Sequence, residues 1–229
     1  MNYKDFLDKA GVETKDIELI KQAFTHRSYI NENREFSTGH NERLEFLGDA
    51  VLELVVTDFL YTNYPDKTEG DMTAYRSALV NAVTLAEVAE TLSVNDYLLL
   101  SHGESKDTGR ARQYILANTM EAIIGAIYLG AGYDESKKFI LAHITPRIDE
   151  VIASGTWIDA KSKFQEKAQD EVSITPLYKT IKESGPDHDK RFEVGVYLDK
   201  ELVATGEGKS KQDAEQLAAR NALEAKKWI

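Results

Sequence analysis

Residues Asn41–Leu54 read NERLEFLGDAVLEL, four carboxylates set into a run that is otherwise apolar. Glu42, Glu45, Asp49 and Glu53 stand among Leu44, Phe46, Leu47, Val51, Leu52 and Leu54. At about 100° per residue, all four acids fall in one narrow stripe, with Glu45 and Asp49 stacked one turn apart. An amphipathic helix often shows such a stripe to solvent, but a solvated face usually mixes Lys with Glu. Here Arg43 is the only cation between Asn41 and Leu60. Gly48, mid-helix, costs up to about 1 kcal/mol against Ala, which points to another element or a ligand coming close. Clustered carboxylates without cations suggest a divalent metal, and oxygen-only ligation suggests magnesium or manganese.

One helix cannot surround a cation, so a second must contribute. ILANTMEAIIGAIYLG (Ile115–Gly130) is the candidate: strongly apolar, yet with Asn118 and Glu121 three apart on one face and Gly125 permitting close packing. Alone, that spacing carries little weight. Beside the first stripe it makes a two-helix oxygen cage.

The rest of the chain bounds the alternatives. Its 229 residues suffice for two domains of unequal size. Cys is absent, which excludes disulfides, thiolate metal sites and Cys nucleophiles and fits a reducing, cytoplasmic setting. The five His are scattered, no H-E-x-x-H pairing or nucleotide-binding phosphate loop is present, and no apolar run of about 18 residues suggests a membrane span. The net charge of -11 argues at face value against a nucleic-acid partner. That charge is uneven, however. From Thr156 onward there are 13 basic and 14 acidic residues, leaving 15 and 25 in the first 155.

Helical periodicity predicts helices over 3–10, 15–24, 41–63, 70–80, 83–92, 110–129 and 135–153, with polar loops at 31–40 and 101–109. Beyond a short Gly-containing break the pattern changes. A helix at 160–171 precedes three strand-like runs, 176–184, 190–199 and 201–208, and a last helix at 212–225. The expected architecture is therefore mainly α. An all-helical domain (1–153) and a linker (154–158) lead into a small α-β-β-β-α domain (159–229).

These residues resemble a known family. ERLEFLGDAVL (Glu42–Leu52) resembles the signature of bacterial ribonuclease III, FTHRSY (Phe24–Tyr29) its upstream helix, and EGDMTAYRSALVN (Glu69–Asn81) a further family helix. GPDHDKRFEV (Gly185–Val194) and GEGKSKQDAEQLAARNAL (Gly206–Leu223) resemble the double-stranded-RNA-binding domain. The resemblance covers essentially the whole chain.

By that resemblance Glu45, Asp49 and Glu121 match metal-binding acids, and Asn118 matches the fourth position, where Asp is usual. Glu42 matches an acidic position outside the quartet, and Glu69 one near the cleavage site across a dimer. The family's fold and activity imply a homodimeric, magnesium-dependent endoribonuclease, with manganese able to substitute. It would cut both strands of duplex RNA, leaving two-nucleotide 3' overhangs, 5'-phosphate and 3'-hydroxyl ends, in processing of ribosomal and other structured RNA. In the tail, matched contact positions are Lys161, Lys163, Gln165 and Glu166 for one minor groove, His188 for the next, and Lys209, Ser210 and Lys211 for the phosphates between. Lys211-Gln212 stands where two lysines are usual, which implies lower affinity and flatter salt dependence.

Asn118 leaves the cage with a charge of -3 rather than -4, and reads either as a natural variant or as an inactivating change. The rival function is a dimeric duplex-RNA-binding protein with weakened or lost cleavage. A helical scaffold with an unrelated sheet domain leaves Gly206–Leu223 unexplained. Trp228 reads as a packing residue, Phe46, Leu47, Tyr61 and Tyr64 as core or dimer contacts, and Glu53 as structural.

Overall fold

A computed structural model describes residues 2–154, 159–186 and 190–228. The chain divides into two compact units, 1–157 and 158–229. Most of the expected linker (155–158) and His188 lie outside the described residues.

The first unit is helical: α1 (Tyr3–Ala10), α2 (Ile17–Ala23), α3 (Arg27–Glu32), α4 (Glu42–Asn63), α5 (Glu69–Val80), α6 (Ala82–Thr91), α7 (Arg110–Ala131), α8 (Tyr133–His143) and α9 (Ile148–Ser154). At its centre is α7, which buries Ile115, Leu116, Met120, Ile123, Ile124 and Ile127. This helix is long and apolar enough to cross a membrane by length and composition, but most of that stretch is buried inside the unit, as befits a core helix. Around it close Leu52, Val55, Val56 and Leu60 of α4, Leu85 and Val88 of α6, and Phe139 and Ile140 of α8. Phe6, Phe24, Tyr3 and Tyr97 form an aromatic end to the same core, with Phe6 edge-on to Phe24 at 4.9 Å between ring centroids.

Local chemistry sets the start of α4, and with it the acidic stripe. Asn41 is buried. Its backbone N–H donates to the Thr25 carbonyl at 3.0 Å, and its side-chain amide donates to the Ala23 carbonyl at 3.2 Å. That ties the first turn of α4 to the end of α2. Helix α5 opens with a reciprocal cap between Thr68 and Asp71.

Two expectations change. The helix expected over 135–153 is two helices, α8 and α9, parted by a 3₁₀ turn at Thr145–Arg147. Pro146 has no N–H to continue the ladder and disfavours helical backbone in the residue before it. The polar stretch 31–40 also gives up its first two residues to α3, a short helix whose N-cap is His26, accepting from the Ser28 N–H at 3.3 Å.

In the second unit α10 (Ala160–Val172) is followed by β1 (Leu177–Ser184), β2 (Arg191–Leu198), β3 (Glu201–Gly208) and α11 (Lys211–Lys226). The strands form an antiparallel sheet in the order β1-β2-β3. Phe164 and Ala168 of α10, Val196 and Leu198 of β2, and Ala218, Ala219, Ala222 and Leu223 of α11 make the core. Gly206 lets α11 lie directly on β3, because a Cβ there would overlap the Ala218 N–H and the Ala214 carbonyl. Trp228 packs on Phe164 with ring centroids 5.4 Å apart, the packing role read from sequence.

Candidate functional site

The acidic stripe of α4 meets α7 where two glycines face each other. A Cβ on Gly48 would overlap the backbone carbonyl of Glu121 and come within 2.8 Å of the Gly125 nitrogen. A Cβ on Gly125 would overlap the carbonyl of Leu44. Backbone therefore packs against backbone at this crossing. Glu45 and Asp49, which flank Gly48 on α4, are thereby brought beside Asn118 and Glu121 on α7.

The electrostatics record that closeness. Glu121 is half-buried, and loss of hydration is the main cause that pushes its pKa up, to about 7, with the charges of Asp49 and Glu45 adding to it. Glu45 is also raised, first by burial, then by the Glu42 charge. It is restrained by a hydrogen bond from the Asn118 side chain, with the Asp49 charge pushing further up. Asp49 is raised by burial and by the charge of Glu53. Glu53 is thus an electrostatic neighbour of the site, which its position one turn beyond Asp49 could have signalled. Among the described residues no three carboxylate or imidazole groups are close enough to grip a cation as they stand. The donor set itself is oxygen-only, anionic and partly dehydrated, and those properties fit a hard divalent cation.

Glu42 is held differently. The Arg27 guanidinium lies 3.5 Å from one of its carboxylate oxygens and His40 Nδ1 lies 3.7 Å from the other. Glu69 stands apart from the cluster, at the first turn of α5, where it accepts from the Thr73 hydroxyl at 3.2 Å. It lines a shallow cavity with Thr57, Leu60, Tyr61, Met72 and Arg76.

Phe46 and Tyr61 are not core residues. Phe46 is 82% exposed and Tyr61 74%. Leu47 is half-buried, and Tyr64 packs edge-on against Tyr75 and Phe59 at 5.7 and 6.3 Å.

In the second unit the expected contact residues divide by what holds them. Gln165 and Glu166 are exposed on α10 beside Ser162, Gln169 and Asp170, and Lys163 is half-buried. Lys161 is not free: its ammonium pairs with Glu215 at 2.6 Å and lies over the Tyr178 ring at 4.9 Å. Ser210 caps α11, accepting from the Asp213 N–H at 3.1 Å while the Asp213 carboxylate accepts from the Ser210 N–H at 3.2 Å. Lys209 is exposed beside that cap, and Lys211 pairs with Glu183 at 3.0 Å.

Residues 16–148 match the ribonuclease-III-like family, and residues 160–226 match the double-stranded RNA binding motif. The chain belongs to the ribonuclease III family. Ribonuclease 3 of Listeria monocytogenes serotype 4a is 42% identical over 221 residues, covering 96% of each chain. Ribonuclease 3 of Borreliella burgdorferi is 41% identical over 220 residues, 96% of this chain and 89% of that one. Among solved structures, the nuclease domain of Campylobacter jejuni ribonuclease III superposes with a TM-score of 0.57 at 39% identity, covering 63% of this chain and 97% of that one. That structure is described as showing flexibility in a region involved in dimer formation. The family therefore spans both units of the chain, nuclease and RNA-binding alike.

Proposed function

We propose that this protein is a homodimeric endoribonuclease that hydrolyses double-stranded RNA with magnesium, or manganese in its place. The observation that carries the reading is the gathering of Glu45, Asp49 and Glu121 at the Gly48–Gly125 crossing, where burial and mutual repulsion raise the Glu121 pKa to about 7. Such a cluster is unfavourable unless a cation joins it. The family match and the RNA-binding motif supply the substrate class.

Residues 1–153 would form the catalytic part and 159–229 the RNA-binding part, joined by 154–158. Glu45, Asp49 and Glu121 would hold the metal, with the Asn118 carbonyl oxygen as a neutral fourth donor. A bound divalent cation supplies a water of lowered pKa and offsets charge on the phosphate and the leaving oxygen. The Asn118 amide steadies Glu45 in its ionised form, the form able to ligate. Glu42, fixed by Arg27 and His40, is set to orient groups at the rim rather than to hold the ion. Glu69, away from this cluster in its own subunit, would act at the partner's site in a dimer. Exposed Phe46 would seat against the second subunit. The products would be short duplexes with 5'-phosphates, 3'-hydroxyls and two-nucleotide 3' overhangs, from ribosomal and other structured RNA.

The second reading, a binding protein with weakened cleavage, is favoured by one observation: Asn118 leaves the quartet a carboxylate short. The test is to incubate wild type, Asn118→Asp and Glu121→Gln with long duplex RNA and magnesium. Cutting by wild type but not by Glu121→Gln supports the enzyme. Cutting by Asn118→Asp alone identifies a disabled enzyme, and binding without cutting by all three overturns the proposal.

A further inference from the structure

In the tail one matched position, Lys211, shares its partner with a lysine that the matched positions do not include, Lys190. The Glu183 carboxylate, near the end of β1, holds two ammonium groups, one on each oxygen: Lys190 at 3.2 Å and Lys211 at 3.0 Å. Lys190 comes just before β2, and Lys211 opens α11. Both ammoniums stand over the ring of Phe192, at 5.8 and 5.5 Å from its centroid. Phe192 is the second residue of β2, so an aromatic platform and a carboxylate together fix the spacing of two lysines from distant parts of the chain. Lys182, the residue before Glu183 on β1, stands opposite Glu193 of β2 in the sheet register.

We infer that Lys190 and Lys211 form a two-lysine clamp for one backbone phosphate of duplex RNA, and that Glu183 occupies this clamp as a surrogate anion until RNA arrives. A phosphodiester, like a carboxylate, offers two outward oxygens to two cations. The lysines hold the Glu183 carboxyl below its ordinary acidity range, so the surrogate is ionised whenever RNA is bound or released near neutral pH. The Lys190, Glu183 and Lys211 side chains are 40%, 38% and 57% exposed, and an ion pair open to solvent to that degree is weak enough for a polyanion to displace. Glu183 thus holds the lysines ready while taking from them part of the charge that RNA would otherwise meet. It adds to the Lys211-Gln212 sequence a second reason for modest affinity. The inference rests on the proposal that the tail binds duplex RNA.

The test is binding of the full-length protein to duplex RNA over a range of salt, in EDTA so that nothing is cut. Glu183→Gln keeps the shape and removes the competing charge. It is expected to bind several-fold more tightly than wild type, with a log–log salt slope steeper by about one phosphate contact. Lys190→Ala is expected to bind more weakly, with a slope shallower by about one contact. A helix or sheet merely loosened by either change would not shift the two slopes in opposite directions. If Glu183→Gln matches wild type in affinity and slope, or if Lys190→Ala does, the clamp is overturned while duplex binding stands. If wild type itself prefers single-stranded RNA, the RNA-binding reading falls and the clamp falls with it.

Discussion

Gly48 of α4 lies against the backbone carbonyl of Glu121 on α7, closer than any residue with a Cβ could approach. The same crossing brings Gly125 against the Leu44 carbonyl. Two helices in backbone contact place the side chains on either side of the contact within reach of each other. Glu45 and Asp49 from one helix and Asn118 and Glu121 from the other owe their proximity to this pair of glycines.

Replacing Gly48 with Ala therefore carries opposed effects. Ala is favoured over Gly in a helix by about 1 kcal/mol. Overpacking a backbone contact costs about 1–3 kcal/mol. The clash involves a carbonyl rather than a flexible side chain, so it dominates. Gly48→Ala is expected to melt below wild type and to show a smaller rise in melting temperature on adding magnesium. A variant that melts higher would mean the helices have room to spare.

The Glu121 pKa gives a pH signature. Its folded value, about 7, lies above the ordinary carboxylate value of 4.5. A group raised in the folded state contributes stability that is fully present below its unfolded pKa and is lost as pH rises through the folded one. Metal-free protein should thus lose stability between about pH 4.5 and 7, beyond what Glu121→Gln shows over the same range. A cation must displace the proton, so stabilisation by magnesium should be larger at pH 8 than at pH 6. Thermal melts at the two pH values, with and without magnesium, check both statements.

Asn118→Asp would replace the group that donates to Glu45 with another acid. Without metal the expected result is a lower melting temperature above pH 7, where the site's acids are ionised. With magnesium or manganese the expected result is tighter binding, because a fourth charged oxygen joins the donor set. Calorimetric titration of metal into the RNA-free protein reads this directly. Equal affinity in the two proteins would place Asn118 outside the set of ligands.

Phe46 is 82% exposed on a helix whose neighbouring Leu44 is buried. An exposed aromatic beside the acidic stripe suits a subunit contact. Phe46→Ala should shift the protein toward monomer in sedimentation experiments while leaving its fold intact. An unchanged dimer would remove Phe46 from the interface.

The acids and glycines of the site were legible because their cost shows in the sequence. Mid-helix Gly48 and Gly125 go against helix propensity, and Glu45 and Asp49 follow from 3.6-residue arithmetic. Asn118 and Glu121 became interpretable once Gly125 marked their helix as one that packs closely. What sequence did not reveal depends on long-range partners. Lys161 meets Glu215, and Lys211 meets Glu183, across separations no helical or strand period encodes. Phe46 sits in an apolar run, and such a run does not distinguish a core from an interface. The break at Pro146 was readable from proline chemistry, but the flanking helices continue the same apolar period across it. Glu53 lies on the same stripe one turn beyond Asp49, and that spacing is the sequence signal for its effect on the charge of Asp49.

The most direct test of the account is cleavage of a long, uniformly labelled duplex RNA by the wild-type protein with magnesium, beside the same sequence as a single strand. The account predicts short duplex products with 5'-phosphates and two-nucleotide 3' overhangs, no cutting of the single strand, and loss of all products in EDTA. A duplex that is bound yet uncut with both magnesium and manganese, or a single strand cut as readily as the duplex, would contradict it.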